Sequence, residues 1–114
     1  EMSTIFSKII KRELPADIVY EDKELLAFHD ILPQAPVHII IIPKKEIETL
    51  NHLCKEDEII VGKMVLLAKN LAEEFKINLS GYRTVFNCNE DGGQTVYHIH
   101  LHLLGGRKLE WPPG

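Results

Sequence analysis

Cysteine is nearly absent: Cys54 and Cys88 are the only two in 114 residues. They show no paired spacing, so neither a disulfide scaffold nor a zinc knuckle is expected, and isolated thiols suit a reducing compartment. A basic excess is missing too. The chain has 13 Lys and Arg against 17 Asp and Glu, a net charge of -4. A general nucleic-acid binder usually carries a basic face, so nucleic acid is not an expected partner. A small anion stays open, because one phosphate needs only a few local donors. No apolar run approaches the ~20 residues of a membrane span, and no signal-peptide pattern opens the chain. A membrane partner is therefore not expected, and the expected location is the cytoplasm, with the nucleus as well for a eukaryotic source. Repeats, low-complexity tracts and inter-domain linkers are also lacking. Glu1, ahead of Met2, reads as a cloning remnant, and a single domain is expected over 2–114.

What is present is a hydrophobic fraction of 45%, enough for one real core. Ser3 or Thr4 can cap a short helix running through Lys11. Ile18–Glu21 and Leu25–His29 read as short strands around the turn Asp22-Lys23, and Val37–Ile42 as a buried β-branched strand. Glu46–His52 suggests a short helical turn. Asp57–Phe75 predicts the long helix, with Val61, Met64, Val65, Ala68, Leu71, Ala72 and Phe75 toward the core. Ile59, Gly62 and Leu66 form a second apolar stripe on that helix. It is either scattered surface aliphatics or a face packed against a second copy of the chain. Tyr82–Cys88 and Tyr97–Leu104 complete the strands, with a turn at Glu90–Gln94 between them. The order predicts an α+β fold with a mainly antiparallel sheet.

The segment Tyr97–Leu104 carries the chemistry. On a strand, side chains alternate between faces, so His98, His100 and His102 are expected on one face and Ile99, Leu101 and Leu103 on the other. Three imidazoles in strict alternation are hard to explain by packing alone. Two chemistries fit. Three histidines plus water make an open zinc site; alternatively one imidazole is a nucleophile and another a proton donor. No carboxylate lies on this strand to support a metal ligand. Gly92-Gly93 and Thr95 lie just upstream, and glycines with a hydroxyl suit an anion. His38 is either a fourth member of the cluster or a core histidine. Asp30 is either a ligand-binding carboxylate or the cap of a proline-rich loop. His29 and His52 carry no pattern and read as surface or structural residues.

His98-Ile99-His100-Leu101-His102-Leu103-Leu104 resembles the histidine triad signature, His-φ-His-φ-His-φ-φ with φ apolar. Phe28-His29-Asp30-Ile31, Pro33–His38 and Asp91–Tyr97 resemble the Hint branch, the histidine triad nucleotide-binding proteins. The likeness runs from Thr4-Ile5-Phe6 to Trp111-Pro112-Pro113-Gly114, although Asn51–Glu56 fits poorly. Nucleotidyltransferase relatives usually carry glutamine where this chain has His102, which favours a hydrolase.

The resemblance implies a five-stranded, mainly antiparallel sheet with one long and one short helix, continuous across a homodimer. It implies a purine nucleoside phosphoramidase acting on AMP–amine conjugates, with no cofactor and no metal. By position, His100 resembles the nucleophile, and His102 the residue that contacts the phosphate and aids the leaving amine. His98 and His38 resemble supporting members. Asn87, Gly93 and Thr95 match positions that hold phosphate or leaving group, Thr95 standing where serine is usual. Asp30 matches the carboxylate on the ribose hydroxyls, and Phe6, Phe28 and Ile31 match the base pocket. Trp111, in the tail 105–114, resembles a residue reaching the partner subunit's site. Chemically, a neutral His100 can attack phosphorus without first losing a proton. Its other ring nitrogen then needs an acceptor, expected from a carbonyl on the neighbouring strand. A protonated imidazole would supply the leaving amine's proton, and backbone N–H groups near Gly93 would face the phosphoryl oxygens.

Overall fold

A computed structural model describes residues 3–114; Glu1 and Met2, and with them the expected domain start at residue 2, lie outside it. Helix α1 spans Ile5–Ile10 and begins at Thr4, whose hydroxyl accepts from Ser7 N–H at 3.0 Å while Ser7 Oγ accepts from Thr4 N–H at 2.9 Å. This reciprocal capping box fixes the entry of a helix too short to stand on propensity. Strands β1 (Ile18–Glu21), β2 (Leu25–His29) and β3 (Val37–Pro43) follow as an antiparallel meander. Two 3₁₀ turns, Leu50–His52 and Lys55–Asp57, lead into α2 (Glu58–Glu74). Strand β4 (Tyr82–Phe86), the single helical turn α3 (Asn89–Gly92) and β5 (Leu101–Gly105) complete the chain. The expected turn at 90–94 is thus one α-helical turn, closed by Gly93 in the left-handed region at φ +85°.

The five strands form one antiparallel sheet in the order β1-β2-β3-β5-β4. Central β3 is buried along almost its whole length. Its period-2 alternation feeds two cores. Ile39 and Ile41 join Leu101, Leu103 and the α2 residues Met64, Leu67, Ala68, Leu71 and Ala72 on one face. Ile40 and Ile42 join Phe6, Ile9, Leu26 and Phe28 beneath α1 on the other.

Helix α2 departs from the expected face in two respects: Val65 is 50% exposed and Leu67 takes its place in the core, and Ile60 rather than Val61 packs against that core. The unbroken apolar run Met64–Ala68 leaves the phase ambiguous in sequence, and the sheet selects 64, 67, 68, 71 and 72. Ile59 and Leu66 stand outward as expected, with Val65 beside them. The helix ends in a Schellman pattern. Lys76 N–H donates to Glu73 O at 3.1 Å and Ile77 N–H to Ala72 O at 2.9 Å, with Lys76 at φ +61°. A lysine holds the left-handed position that glycine usually fills.

Candidate active site

The histidine segment is not one strand. The sheet pairing of β5 starts at Leu101, and upstream of it Ile99 N–H leaves the ladder for Ile47 O at 2.7 Å. The segment therefore turns off the sheet before His100. Ile99, Leu101 and Leu103 are buried as expected, but the three triad rings do not surround one point. His98, only 2% exposed, directs Nε2 at the carbonyl of Pro43, 2.7 Å away. The expected convergence of His98, His100 and His102 is thereby corrected. His98 anchors the segment to the end of β3, and His38 from β3 takes the place beside the other two.

The cluster that does form is His38, His100, His102 and Asp30. His100 and His102 have ring centroids 4.9 Å apart, and His38 and His102 5.2 Å. His38 Nε2 lies 2.9 Å from His102 Nδ1 and 3.4 Å from Asp30 Oδ2. Pairing puts these residues together: Ile40, two positions beyond His38 on β3, faces His102 of β5. Asp30 takes the loop-capping role of the two expected for it, and its second oxygen joins the cluster. Its Oδ1 accepts from Leu32 N–H at 2.8 Å and shapes the loop, while Oδ2 faces His38.

Backbone groups assign the ring protons, because a carbonyl only accepts and an amide N–H only donates. His100 Nδ1 is 2.8 Å from the carbonyl of His98, so Nδ1 carries the proton and Nε2 keeps its lone pair. The acceptor is the carbonyl two residues back, not one on the neighbouring strand. His38 Nδ1 accepts from Gln34 N–H at 3.0 Å, so a neutral His38 holds its proton on Nε2 and donates it to His102 Nδ1. His102 is then left with Nε2–H. Gln34 is a positioning residue the sequence reading did not single out. Its carbonyl is gripped from the far side by Arg107, Nη2 at 2.9 Å and Nε at 3.3 Å.

Burial keeps the cluster uncharged. Desolvation pushes the pKa values of His38, His98 and His100 below the ordinary histidine value, and that of His102 down to about 4. For His102 the neighbouring His100 and His38 act in the same direction. Protonating His102 at Nδ1 would also set an N–H against the His38 N–H. These groups are therefore neutral at pH 7 in the free protein.

Phe6 and Phe28 are buried core residues in edge contact at 5.5 Å, and Phe6 meets the His100 ring edge-on at 4.9 Å. They form a floor under the cluster. Ile31, beside Asp30, is 89% exposed. Asn87, Gly93 and Thr95 sit in the loop between β4 and β5, and among the described residues none hydrogen-bonds an imidazole. Gly93 N–H already donates to Glu90 O, and Gln94 N–H to Asn89 O, both at 3.0 Å. Those two amides are therefore not open phosphate donors, contrary to expectation. Gln94, missed in the sequence, staples this loop: its side chain bonds Asn89 N–H, Glu48 O and Val96 O. Trp111 is 80% exposed, far out on the tail, with the Arg83 guanidinium 5.9 Å from its ring centre. A cavity of about 610 Å³ lies against His98, walled also by Thr4, Ser7, Glu46, Ile47 and Tyr97.

Ligand atoms of the three triad histidines do not assemble as a zinc set. Among the described residues, the histidine-bearing set within 4.8 Å is Asp30, His38 and His102, two of whose nitrogens already share a hydrogen bond.

Residues 11–109 match the HIT domain. The chain is 56% identical over 106 residues to the purine nucleoside phosphoramidase of Escherichia coli, covering 93% of this chain and 89% of that one. It is equally identical, over 111 residues, to a HIT-like protein of Synechococcus elongatus, covering 97% and 96%. The fold superposes on the crystal structure of a HIT family hydrolase from Legionella pneumophila with a TM-score of 0.96 at 53% identity, covering 98% of this chain and all of that one. With sequence match, fold and histidine cluster in agreement, this chain is a member of the HIT domain family.

Proposed function

We propose that this protein is a purine nucleoside phosphoramidase that hydrolyses the P–N bond of AMP–amine conjugates through a nucleotidyl-histidine intermediate. The observation that carries the reading is the pinned tautomer of His100. With Nδ1–H held by the His98 carbonyl, the Nε2 lone pair is free, and the ring is neutral because it is buried. The identity to the Escherichia coli phosphoramidase supports the substrate class.

His100 Nε2 attacks phosphorus and the P–N bond breaks. The imidazolium character that develops on His100 is stabilised through Nδ1–H by the same carbonyl. The departing nitrogen needs a proton, since an amide anion is a very poor leaving group. A phosphoryl anion beside His102 raises its pKa on binding and offsets the opposed His38 N–H, so His102 takes up a proton at Nδ1 with the substrate and delivers its Nε2 proton to the amine. General acid help of this kind is typically worth ~10²–10⁴-fold. Water then attacks the nucleotidyl-histidine, giving a proton back to His102 and releasing AMP. Asp30 is assigned to the ribose hydroxyls, with Phe6, Phe28 and Ile31 to the base, and Asn87 and Thr95 to phosphate and leaving group. His38 sets the tautomer of His102, and His98 holds the segment.

The acting species is a homodimer of these single domains, in the cytoplasm, with Trp111 reaching the partner's site. Strand β4 is a sheet edge, so a second copy can continue the sheet there. The outward stripe Ile59, Val65 and Leu66 gives that contact an apolar area. A monomeric mass by light scattering at working concentration would remove the dimer from the proposal.

The deciding experiment uses an AMP–tryptamine phosphoramidate. Wild-type protein quenched during turnover carries AMP mass on the peptide containing His100, and His100→Ala releases no AMP while keeping its circular dichroism. Full activity in His100→Ala ends the covalent scheme. Tight AMP binding with negligible wild-type turnover favours instead a nucleotide-binding scaffold.

A further inference from the structure

Gly105 lies three residues, roughly 10 Å, past His102 along β5. Beyond it the end of α2, the start of β4 and the C-terminal tail enclose a second concavity of about 610 Å³, whose walls include neither His100 nor His102. Lys76, Arg83, Arg107 and Lys108 all line it, together with Ser80, Tyr82 and the backbone of Gly81 and Gly106, and no carboxylate does. In a chain of net charge -4 this is a marked local excess. None of the four cations takes part in a salt bridge among the described residues, although Arg12, Lys44, Lys45, Lys63 and Lys69 elsewhere do.

Two of the four are held in place without being neutralised. Arg83 Nη2 donates to Glu110 O at 2.8 Å. Arg107 donates to Gln34 O and to Lys108 O. Carbonyls orient a guanidinium but do not cancel its charge. A guanidinium has five N–H donors in a fixed fork, so both arginines retain donors for an incoming anion. Lys76 is set by the left-handed helix end, and Gly106, at φ +94°, fits against Pro36, where an added Cβ would lie 2.8 Å from Pro36 Cβ. Like charges gathered on a rigid frame repel one another, and an anion with several charges relieves that repulsion at little ordering cost.

We propose that this concavity is a second anion site, separate from the histidine cluster, that binds an oligophosphate group, free or carried on a nucleoside. The walls favour phosphate over a single carboxylate, because four cations with unused donors match a ligand of several charges and many acceptor oxygens.

The test monitors backbone amides by ¹H–¹⁵N NMR. The protein is first saturated with AMP to occupy the histidine cluster, then titrated with sodium tripolyphosphate at constant ionic strength. Saturable shifts are expected at Ser80, Gly81, Gly106 and Lys108, with the AMP-shifted signals around His100 unmoved. In Lys76→Gln/Lys108→Gln the apparent affinity falls at least tenfold, while AMP release from the phosphoramidate is unchanged. ATP in a parallel titration identifies the source: tighter binding than tripolyphosphate assigns the site to nucleotides, equal binding to the phosphate chain alone. The proposal is overturned if tripolyphosphate leaves these signals still, if the double variant binds as well as wild type, or if a polyglutamate peptide binds there with equal affinity.

Discussion

His102 in the free protein should remain uncharged far below the pH at which a solvated histidine titrates. Its pKa is pushed down to about 4 from 6.5, which corresponds to about 3 kcal/mol. The ring is partly open to solvent, which trims this to about 2–3 kcal/mol. The folded pKa lies below the unfolded one. The stabilisation is therefore complete above pH ~6.5 and is lost progressively as pH falls toward ~4. His38, His98 and His100 shift in the same direction and add to the slope. The carboxylates with lowered pKa values, Glu21, Asp22 and Asp57, lose their contribution only below about 4.5. The window from pH 6.5 to 4.5 thus isolates the histidines. Two measurements check this: the His102 ring signals by NMR across that window, and urea unfolding at pH 7.5 and 4.5 for wild type and His102→Asn. Wild type should lose more stability than the variant between those pH values. A His102 midpoint near 6.5 in the folded protein, or identical losses in both proteins, would refute the desolvation argument.

Three further outcomes follow from the same geometry. AMP binding should take up a proton at pH 7.5, seen as a calorimetric enthalpy that varies with the buffer's ionisation enthalpy, and should weaken as pH rises from 6 to 8; no buffer dependence would mean that the bound phosphate does not charge His102. His98→Ala should lower stability by about 2–4 kcal/mol in urea unfolding, because it leaves the Pro43 carbonyl without its donor and a hole beside Phe6. Lys76→Gly should raise stability by about 1 kcal/mol by relieving the left-handed lysine; an unchanged or lowered denaturation midpoint would show that the lysine side chain contributes to the fold.

Sequence patterns captured the parts of the fold governed by period and punctuation. Ile18–Glu21 and Leu25–His29 occupy their expected bounds, and α2 lies within one residue of its expected ends. Patterns fail where tertiary partners decide. Val65 and Leu67 are both aliphatic members of one apolar run, and only contact with β3 and β5 selects Leu67. The alternation of His98, His100 and His102 reads as a strand, yet the Ile99 amide is taken by Ile47. Nothing local at position 99 signals that partner, which lies far back in the chain. Gln34 and Gln94 escape sequence patterns for a related reason. An exposed or loop glutamine has no periodic signature, and its role appears only when its bonds to distant backbone are seen.

The spacing of the triad has a different cause from the one its regularity suggests. If three imidazoles had to encircle one group, His98 would turn toward His100 and His102; instead its ring is committed to Pro43 O. What the two-residue step provides is a carbonyl. His98 O reaches Nδ1 of the ring two positions later, and this one bond dictates which nitrogen of His100 is nucleophilic. His98 is thus used through both ends: its ring locks the segment onto β3, and its carbonyl sets the tautomer next door. On the far side, the Gln34 amide does the same for His38, and His38 in turn for His102. Every proton in the cluster is therefore placed by a backbone group or by a ring that a backbone group has already oriented. Such placement matters most in a largely buried, uncharged cluster, where a misplaced proton leaves a ring nitrogen facing the wrong partner.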